Sequence, residues 1–182
     1  MVAKYECSAE IVAWDERQAD EIARIFLAAV HAIPDRFYSR SERLAWAPAV
    51  YSSTHWRQRL QEYQTRVIRF GSAYCAFLSY QPRSDDTEQI PVPGLYIDCL
   101  YVDPVWQRQG LGGRLLQYAI NQATNGHYHS CFSDVSRAAR SLFENFGFQW
   151  HHTNQLVRNG VELQNDRMRY RLAQQTQKEL DS

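Results

Sequence analysis

Residues 95–117 read LYIDCLYVDPVWQRQGLGGRLLQ and hold the most informative pattern in the chain. The stretch begins with an apolar run broken by one acid, Asp98, which is typical of a central β-strand. Three glycines then follow within four positions, Gly110, Gly112 and Gly113, where a helical apolar periodicity begins. Because glycine loses more backbone freedom on folding than any other residue, three of them between a strand and a helix need a reason.

The position of these glycines points to an anion site. A helix N-terminus attracts anions through its free N–H groups and its dipole. Two familiar phosphate motifs do not fit: the dinucleotide fingerprint would need glycine at Leu115, and the P-loop would need a Gly-Lys-Ser/Thr sequence. What remains is Gln107-x-x-Gly110-x-Gly112, preceded by a strand that ends at Val102. A structural turn with packing glycines is the alternative interpretation.

Length and composition indicate an ordinary globular protein. A chain of 182 residues suffices for a full hydrophobic core, and we expect one domain over 1–173 with a polar, frayed tail over 174–182. The formal net charge of +0 provides no basic field, so no nucleic-acid partner is expected. The sequence contains no apolar run of signal-peptide or membrane-spanning length, which predicts no membrane partner and a cytoplasmic location.

Cysteine and histidine spacing gives no sign of a metal centre. Four cysteines lie far apart without a CxxC pair, at Cys7, Cys75, Cys99 and Cys131. This spacing suits reduced, buried thiols in a cytoplasmic protein. His127 and His129 would share one strand face, but no cysteine or carboxylate at suitable spacing completes a site, so we expect no metal.

The rest of the chain alternates between strand and helix patterns. Strands are predicted over 9–14, 65–70, 73–80, 95–102, 128–134, 148–157 and 162–172. Helices are predicted over 20–33, in the region 40–62, from about 110, and from a cap at Ser136 to a left-handed stop at Gly147. Residues 81–94 are polar, hold three prolines and predict a loop. The element order indicates an α/β (α+β) protein with a mixed, mostly antiparallel central sheet flanked by helices.

The glycine pattern closely resembles the coenzyme A signature of the GNAT acetyltransferase superfamily. In that family a strand precedes Arg/Gln-x-x-Gly-x-Gly/Ala, which opens a helix, and here the segment reads LYVDPVWQRQGLGGRLL. A second family feature is a later helix that ends in a pattern like LYxxxGF, and residues 142–148 read LFENFGF. The element order over 9–172 fits the GNAT fold, so the resemblance covers nearly the whole chain.

The resemblance implies acetyl-CoA as co-substrate. The backbone of Leu100 and Val102 would pair with the pantetheine arm, because the central strand of the family splays from its neighbour there. The Val102 N–H would polarise the thioester carbonyl, and one such donor contributes roughly 3–4 kcal/mol. Gln107 stands at the first motif position, and Ser136 stands where relatives often have an asparagine that contacts the cofactor. The pyrophosphate would lie against the N–H groups of Arg108, Gln109, Gly110, Leu111, Gly112 and Gly113.

Acetyl transfer also requires proton transfers. A neutral amine is the nucleophile, and deprotonating an amine of pKa near 10.4 costs roughly 4–5 kcal/mol at pH 7. Asp98 is the candidate base, because a partly desolvated carboxylate is a stronger base; the alternative is that it holds a neighbouring backbone group or arginine. Tyr101, with Tyr96, could relay a proton or simply pack. In many relatives the tyrosine of LYxxxGF protonates the leaving thiolate, but Phe143 occupies that position here.

The resemblance also implies that the acceptor site lies beside the first two helices and the central strand. This region is rich in aromatic residues, which would wall a pocket or fill the core: Phe37, Tyr38, Trp46, Tyr51 and Trp56. The predicted function is direct transfer of an acetyl group from acetyl-CoA to a primary amine of a small molecule. Alternatives are a protein N-terminal or lysine acetyltransferase and a non-catalytic acyl-CoA-binding or sensing module. A homodimer is an open alternative to a monomer.

Overall fold

Residues 9–87 and 90–173, which the computed structural model of the protein describes, form a seven-stranded sheet flanked by helices. The strands are β1 (Glu10–Ala13), β2 (Gln64–Phe70), β3 (Ala73–Asp85), β4 (Val92–Val102), β5 (Ser130–Ser136), β6 (Gln149–Arg158) and β7 (Val161–Arg171). Their order is β1-β2-β3-β4-β5-β7-β6; β4 and β5 run parallel and the other neighbours run antiparallel. This confirms the predicted α/β (α+β) class and the mixed, mostly antiparallel sheet. The predicted tail, 174–182, lies outside the described residues.

Five α-helices accompany the strands in these two ranges. They are α1 (Ala19–His31), α2 (Arg40–Trp46), α3 (Ser53–Leu60), α4 (Leu111–Asn125) and α5 (Arg140–Asn145). The predicted helical region 40–62 divides in two because Pro48 disfavours helical backbone at the residue before it. The second helix of the region begins after Ser52, whose side chain accepts the His55 N–H.

The sheet separates two apolar layers. On one face, called the α4 face, Leu95 and Ile97 pack with buried residues of α4 and α5. On the other, called the α1 face, Phe77 and Cys99 pack with buried residues of α1 and α3. The glycine-rich segment therefore begins a helix on one face of the sheet, while the aromatic region predicted to hold the acceptor covers the other.

The loop predicted over 81–94 is wrong at both ends. β3 continues to Asp85 and β4 begins at Val92, and these two residues stand opposite each other. The loop was predicted because prolines are rare inside strands. The β2–β3 ladder ends at Tyr80, however, so the part of β3 that contains Pro82 has no β2 neighbour to which a backbone N–H would donate. A buried carboxylate fixes the extended hairpin, because Asp85 contacts the guanidinium of Arg169 on β7, with Nε to Oδ2 at 2.7 Å.

The predicted cap at Ser136 is also corrected, whereas the predicted stop at Gly147 is confirmed. Ser136 is the last residue of β5, opposite Asn165, and its Oγ accepts the Ala139 N–H at 3.2 Å. The hydroxyl thus caps a turn that precedes α5, and α5 itself begins at Arg140 without a side-chain cap. Gly147 has φ 88°, the left-handed conformation that ends the helix.

Three further features of the structure concern membrane-spanning helices, metal-binding groups and disulfides. No helix in the described part of the chain has the length and apolar character of a membrane span. Within the same ranges, no three His, Cys, Asp or Glu side chains are grouped so that they could hold a metal. Cys75, Cys99 and Cys131 are buried free thiols, as predicted, and Cys7 lies outside the described residues.

Candidate active site

The central strand β4 carries a β-bulge at Asp98. Ser79 of β3 stands opposite Cys99, while the next residue, Tyr80, stands opposite Ile97, so Asp98 has no partner on β3. The consequence is that Asp98 and Cys99, although consecutive, lie side by side, with Cys99 Sγ 3.2 Å from Asp98 Oδ2.

The bulge shifts the alternation of β4 by one residue. Before it, Leu95 and Ile97 lie on the α4 face; after it, Leu100 and Val102 lie there. Strict alternation would put residues 96 and 101 on opposite faces of the sheet. With the extra residue, four side chains share one cavity on the α1 face: Tyr96, Asp98, Cys99 and Tyr101.

Beyond the bulge, β4 and β5 part from each other. Their ladder runs from Gly94–Ser130 only to Ile97–Ser133. β4 nevertheless continues to Val102, paired with β3 on its other side. In the part of the chain that the structure describes, the β5-facing edge of residues 98–102 thus opens onto a gap. Such an edge can take up an extended ligand through main-chain hydrogen bonds.

The loop before α4 and the first turn of this helix, residues 108–113, present a group of backbone N–H groups that is called the N–H cradle. Arg108 (φ 63°) and Gly110 (φ 79°) both have left-handed backbone, a conformation that turns successive N–H groups toward one point. Arg114 donates the first N–H of the helical ladder, to Gly110 O at 3.0 Å, so earlier N–H groups of α4 have no intrahelical acceptor. A Cβ on Gly110 would meet no atom within 4 Å, so open space adjoins the loop. This arrangement fits a phosphate group.

Gly112 and Gly113 serve packing. A Cβ on Gly113 would lie 3.0 Å from Phe146 Cζ, and one on Gly112 would lie 3.2 Å from Leu142 Cδ2. Both distances are too short for ordinary contacts, so these glycines let α4 approach α5 closely. Packing therefore explains why residues 112 and 113 are glycines. It does not occupy their backbone N–H groups, which can still bind an anion.

A cavity of about 380 Å³ lies on the α1 face, between α1–α3, β4 and the β6–β7 hairpin. Its aromatic walls are formed by Phe26, Tyr38, Trp46, Tyr51, Trp56, Tyr96 and Tyr101. Four of the five aromatic residues predicted for the acceptor region are among them. The fifth, Phe37, packs instead in the small cluster around Tyr38, Ala45 and Leu163.

Asp98 is oriented by an ion pair. Arg59 Nη2 lies 2.7 Å from its Oδ2, and the Asp98 side chain is only 11% exposed. Ser79 Oγ and Cys99 Sγ also contact Oδ2, at 3.5 and 3.2 Å. Among the described residues no donor reaches Oδ1, which therefore remains able to accept a proton. The two interpretations of Asp98, base and partner of an arginine, are compatible because they use different oxygens.

Tyr101 and Cys99 are proton-bearing groups at neutral pH. Burial, and secondarily the charges beside it, raises the pKa of the Tyr101 hydroxyl well above its ordinary value of 10. Burial raises the pKa of the Cys99 thiol to about 12. The Tyr101 hydroxyl has no hydrogen-bond partner within residues 9–87 and 90–173, so it can donate to a ligand. Phe143, in contrast, is buried against Phe148 with ring centroids 5.0 Å apart and offers no proton.

Asp134, which was not among the site residues predicted from the sequence, also lines the cavity. It accepts Arg167 Nε at 2.7 Å, Asn154 Nδ2 at 2.8 Å and the Tyr96 hydroxyl at 3.2 Å. Burial by itself would raise the pKa of Asp134, but the Arg167 and Asn154 contacts outweigh it and hold the pKa below its usual range. The only sequence signal was an acid near the end of a predicted strand.

The family follows from a comparison over most of the chain. A family model described as the acetyltransferase (GNAT) domain matches residues 36–172. The chain belongs to the GNAT acetyltransferase family. The predicted family and the prediction of an N-acetyltransferase enzyme are thereby confirmed.

Relatives of this GNAT protein span nearly its whole length. The uncharacterized N-acetyltransferase YafP of Escherichia coli K12 is 26% identical over 151 residues, 83% of this chain and 88% of YafP. A GCN5-related N-acetyltransferase of Rhodopseudomonas palustris is similar in structure, with a TM-score of 0.77, 22% identity and coverage of 91% and 96%. The acetyltransferase yncA of Salmonella typhimurium, solved with acetyl-CoA, gives a TM-score of 0.64 and 21% identity, with coverage of 92% and 96%.

Proposed function

We propose that this protein transfers the acetyl group of acetyl-CoA directly to a primary amine of a small molecule. One observation carries the proposal: β4 and β5 separate beyond the Ile97–Ser133 pair, and the separated part of β4 lines the aromatic cavity with Tyr101 and leads along the chain to the N–H cradle at the start of α4. A thioester lying along this gap presents its carbonyl to an amine held in the cavity. The acetyl-CoA in the similar yncA structure supports the choice of ligand.

Acetyl-CoA supplies the acetyl group in activated form, as a thioester. In this proposal the backbone of Leu100 and Val102 pairs with the pantetheine arm, and the Val102 N–H donates to the carbonyl that develops negative charge. Gln107 holds the end of β4, since its Nε2 donates to Val102 O at 3.1 Å. Ser136, at the end of β5 across the gap, contacts the cofactor. The pyrophosphate is bound by the N–H groups of Arg108, Gln109, Gly110, Leu111, Gly112 and Gly113.

Asp98 and Tyr101 handle the protons in this proposal. The amine nitrogen attacks the thioester carbonyl carbon, the carbon–sulfur bond breaks, and the amine loses one proton while the sulfur gains one. Asp98 Oδ1, directly or through water, accepts the proton of the amine. The Tyr101 hydroxyl donates toward the leaving sulfur, in place of the tyrosine that Phe143 replaces. A thiol pKa near 8.5 keeps the demand on this donor small.

The walls of the cavity favour a small acceptor over a protein. The β6–β7 hairpin is fastened over the cavity by the Tyr38 hydroxyl, which donates to Gln164 O at 2.5 Å, and by Asn159 Nδ2, which donates to Ala45 O at 3.1 Å. A peptide acceptor needs an open groove, and these contacts close one side of it. The other alternative, an acyl-CoA sensor, would bind the cofactor without releasing thiol.

The function is tested by following coenzyme A thiol release from acetyl-CoA with a panel of small primary amines. We expect amine-dependent release at least tenfold above hydrolysis for part of the panel, with the acetylated amine identified by mass. Tight acetyl-CoA binding with no release for any amine would support the sensor. Release only with peptides or with protein lysines would support the protein acetyltransferase.

The N–H cradle is tested by a matched pair of glycine substitutions. Gly110 (φ 79°) and Gly160 (φ 75°) are both left-handed, and a Cβ on either would meet no atom within 4 Å. Gly110→Ala and Gly160→Ala should therefore cost the same stability, about 1–2 kcal/mol. We expect Gly110→Ala alone to weaken acetyl-CoA binding, about tenfold by calorimetry, because the strained loop relaxes away from its anion-binding conformation. Equal affinities of the two variants would contradict the role of the loop.

A further inference from the structure

The charges that line the cavity do not all have partners in the protein. Four charged residues contribute to its walls: Arg59, Asp98, Asp134 and Arg158. Arg59 pairs with Asp98, and Asp134 pairs with Arg167, which does not itself line the cavity. Arg158 has no carboxylate within ion-pair distance among residues 9–87 and 90–173. The cavity therefore presents one uncompensated positive charge.

The strand and the turn that flank Arg158 fix its backbone, and its exposed side chain contributes to the cavity lining. It is the last residue of β6, and its alternate neighbours Asn154 and Leu156 line the same cavity, as residues on one strand face should. The turn that follows is tight, since Asn159 (φ 50°) and Gly160 (φ 75°) are both left-handed. The Asn159 contact to Ala45 O fixes this turn to the end of α2.

Arg158 also lies within electrostatic reach of the proposed reaction centre. Burial dominates the raised pKa of the Tyr101 hydroxyl, but the Arg158 charge acts on it in the opposite direction. We assign the cofactor phosphates to the N–H cradle, which lies at the start of α4 on the α4 face of the sheet, whereas Arg158 lines the cavity on the α1 face. An anion at Arg158 would therefore belong to the acceptor and not to coenzyme A.

We propose that the acceptor amine carries an anionic group, a carboxylate or a phosphate, and that Arg158 binds it. This inference rests on the proposed function and names the substrate class for the same site. A guanidinium binds such groups with two parallel hydrogen bonds, which fixes orientation as well as position. The acceptor then lies with its amine toward Asp98 and Tyr101, its anionic group at Arg158 and its apolar part against the aromatic walls. Purely cationic amines, such as diamines, leave Arg158 without a partner.

Matched pairs of amines test the inference. The carboxylate pairs are phenylalanine with phenethylamine and leucine with isoamylamine, and the phosphate pair is phosphoethanolamine with ethanolamine. For at least one pair we expect the wild-type protein to favour the anionic member at least tenfold in kcat/KM. Arg158→Gln should raise KM for that member about 10- to 100-fold and leave its uncharged partner unaffected. Arg158→Lys should restore part of the preference, and Arg40→Gln, at an exposed position outside the cavity lining, should change nothing.

Two results would overturn the inference: no pair in which the anionic member is favoured, or a preference that survives in Arg158→Gln. Binding of the same six compounds to the protein saturated with coenzyme A, measured by calorimetry, separates this inference from the proposed function. Binding of an anionic member that is lost in Arg158→Gln, without turnover of any amine, would sustain the anion site and refute the acetyl transfer. Turnover of amines without a preference for the anionic members would support acetyl transfer and refute the anion site.

Discussion

The Asp98→Asn variant is expected to lose at least 100-fold in kcat for amine acetylation while it binds acetyl-CoA as the wild type does. Strand alternation places Asp98 on the cavity face together with Tyr96, Arg59 contacts its Oδ2, and in the proposed mechanism Oδ1 accepts the amine proton. Removing a positioned general base costs typically 10²–10⁴-fold. Asparagine keeps the shape and the contact to Arg59 but cannot take up the proton. The measurement is steady-state thiol release with saturating acetyl-CoA.

Arg59→Gln is the control that separates a base from a structural ion pair. If Asp98 only fastened Arg59, the two variants would lose the same activity and the same melting temperature. We expect Arg59→Gln to lose less than tenfold in kcat, because the carboxylate survives and only its orientation is loosened. Wild-type kcat in Asp98→Asn would refute the assignment of the base.

The Asp85→Asn variant is expected to lower stability by about 3–5 kcal/mol, which is the cost of leaving one member of a buried ion pair alone. The Asp85 side chain is fully buried and lies 2.7 Å from Arg169 Nε, which is itself only 9% exposed on its side chain. Thr87 also donates to Asp85, through its N–H at 3.1 Å and its hydroxyl at 2.7 Å. For a chain of this length the melting temperature should fall by roughly 6–20 °C. Glu10→Gln, at an exposed pair with Arg69, should shift it by less than about 2 °C.

The same carboxylate gives the stability a defined pH dependence. Burial would raise the pKa of Asp85, but the hydrogen bonds from Ser130 and Thr87 and the Arg169 charge outweigh it and hold the pKa below 3.8. A group whose pKa is lowered on folding stabilises the fold above its unfolded pKa, and this stabilisation is lost as the pH falls through the folded value. The wild type should therefore lose its advantage over Asp85→Asn as the pH drops below about 4. A difference in melting temperature that stays constant down to pH 2 would contradict this account.

Local pattern was enough to predict most of the fold. Apolar periodicity gave the helices beginning near residues 20 and 110, and glycine chemistry gave the stop at Gly147, because these signals depend only on near neighbours. The hairpin beyond Tyr80 could not be predicted in this way. Its stability comes from Asp85 meeting Arg169 across the sheet, and such a contact between distant residues leaves no local signature.

The loop proposed to bind the cofactor was recognisable in the sequence, whereas the cavity proposed to hold the acceptor was much less so. The Gln107–Gly113 loop is a contiguous motif, so its residues could be read from the sequence together. The cavity proposed to hold the acceptor instead depends on the bulge at Asp98, which brings Cys99 and Tyr101 into its lining and which no spacing in the sequence predicts. Asp134 and Arg158 reach the cavity because β5 pairs with β7 and the β6–β7 hairpin packs against α2. Residues contributed by such long-range packing require the folded structure.

A thermal-shift titration with acetyl-CoA tests whether the β4–β5 gap and the N–H cradle bind this cofactor. A ligand at 100 times its dissociation constant adds about 2.7 kcal/mol of stability, or roughly 5–10 °C for a domain of this size. We expect a saturable rise of this order with acetyl-CoA, and a smaller rise at equal concentration in Gly110→Ala. A melting temperature that does not change at millimolar acetyl-CoA would contradict the proposed cofactor site, because the glycines would then serve the turn and the packing alone.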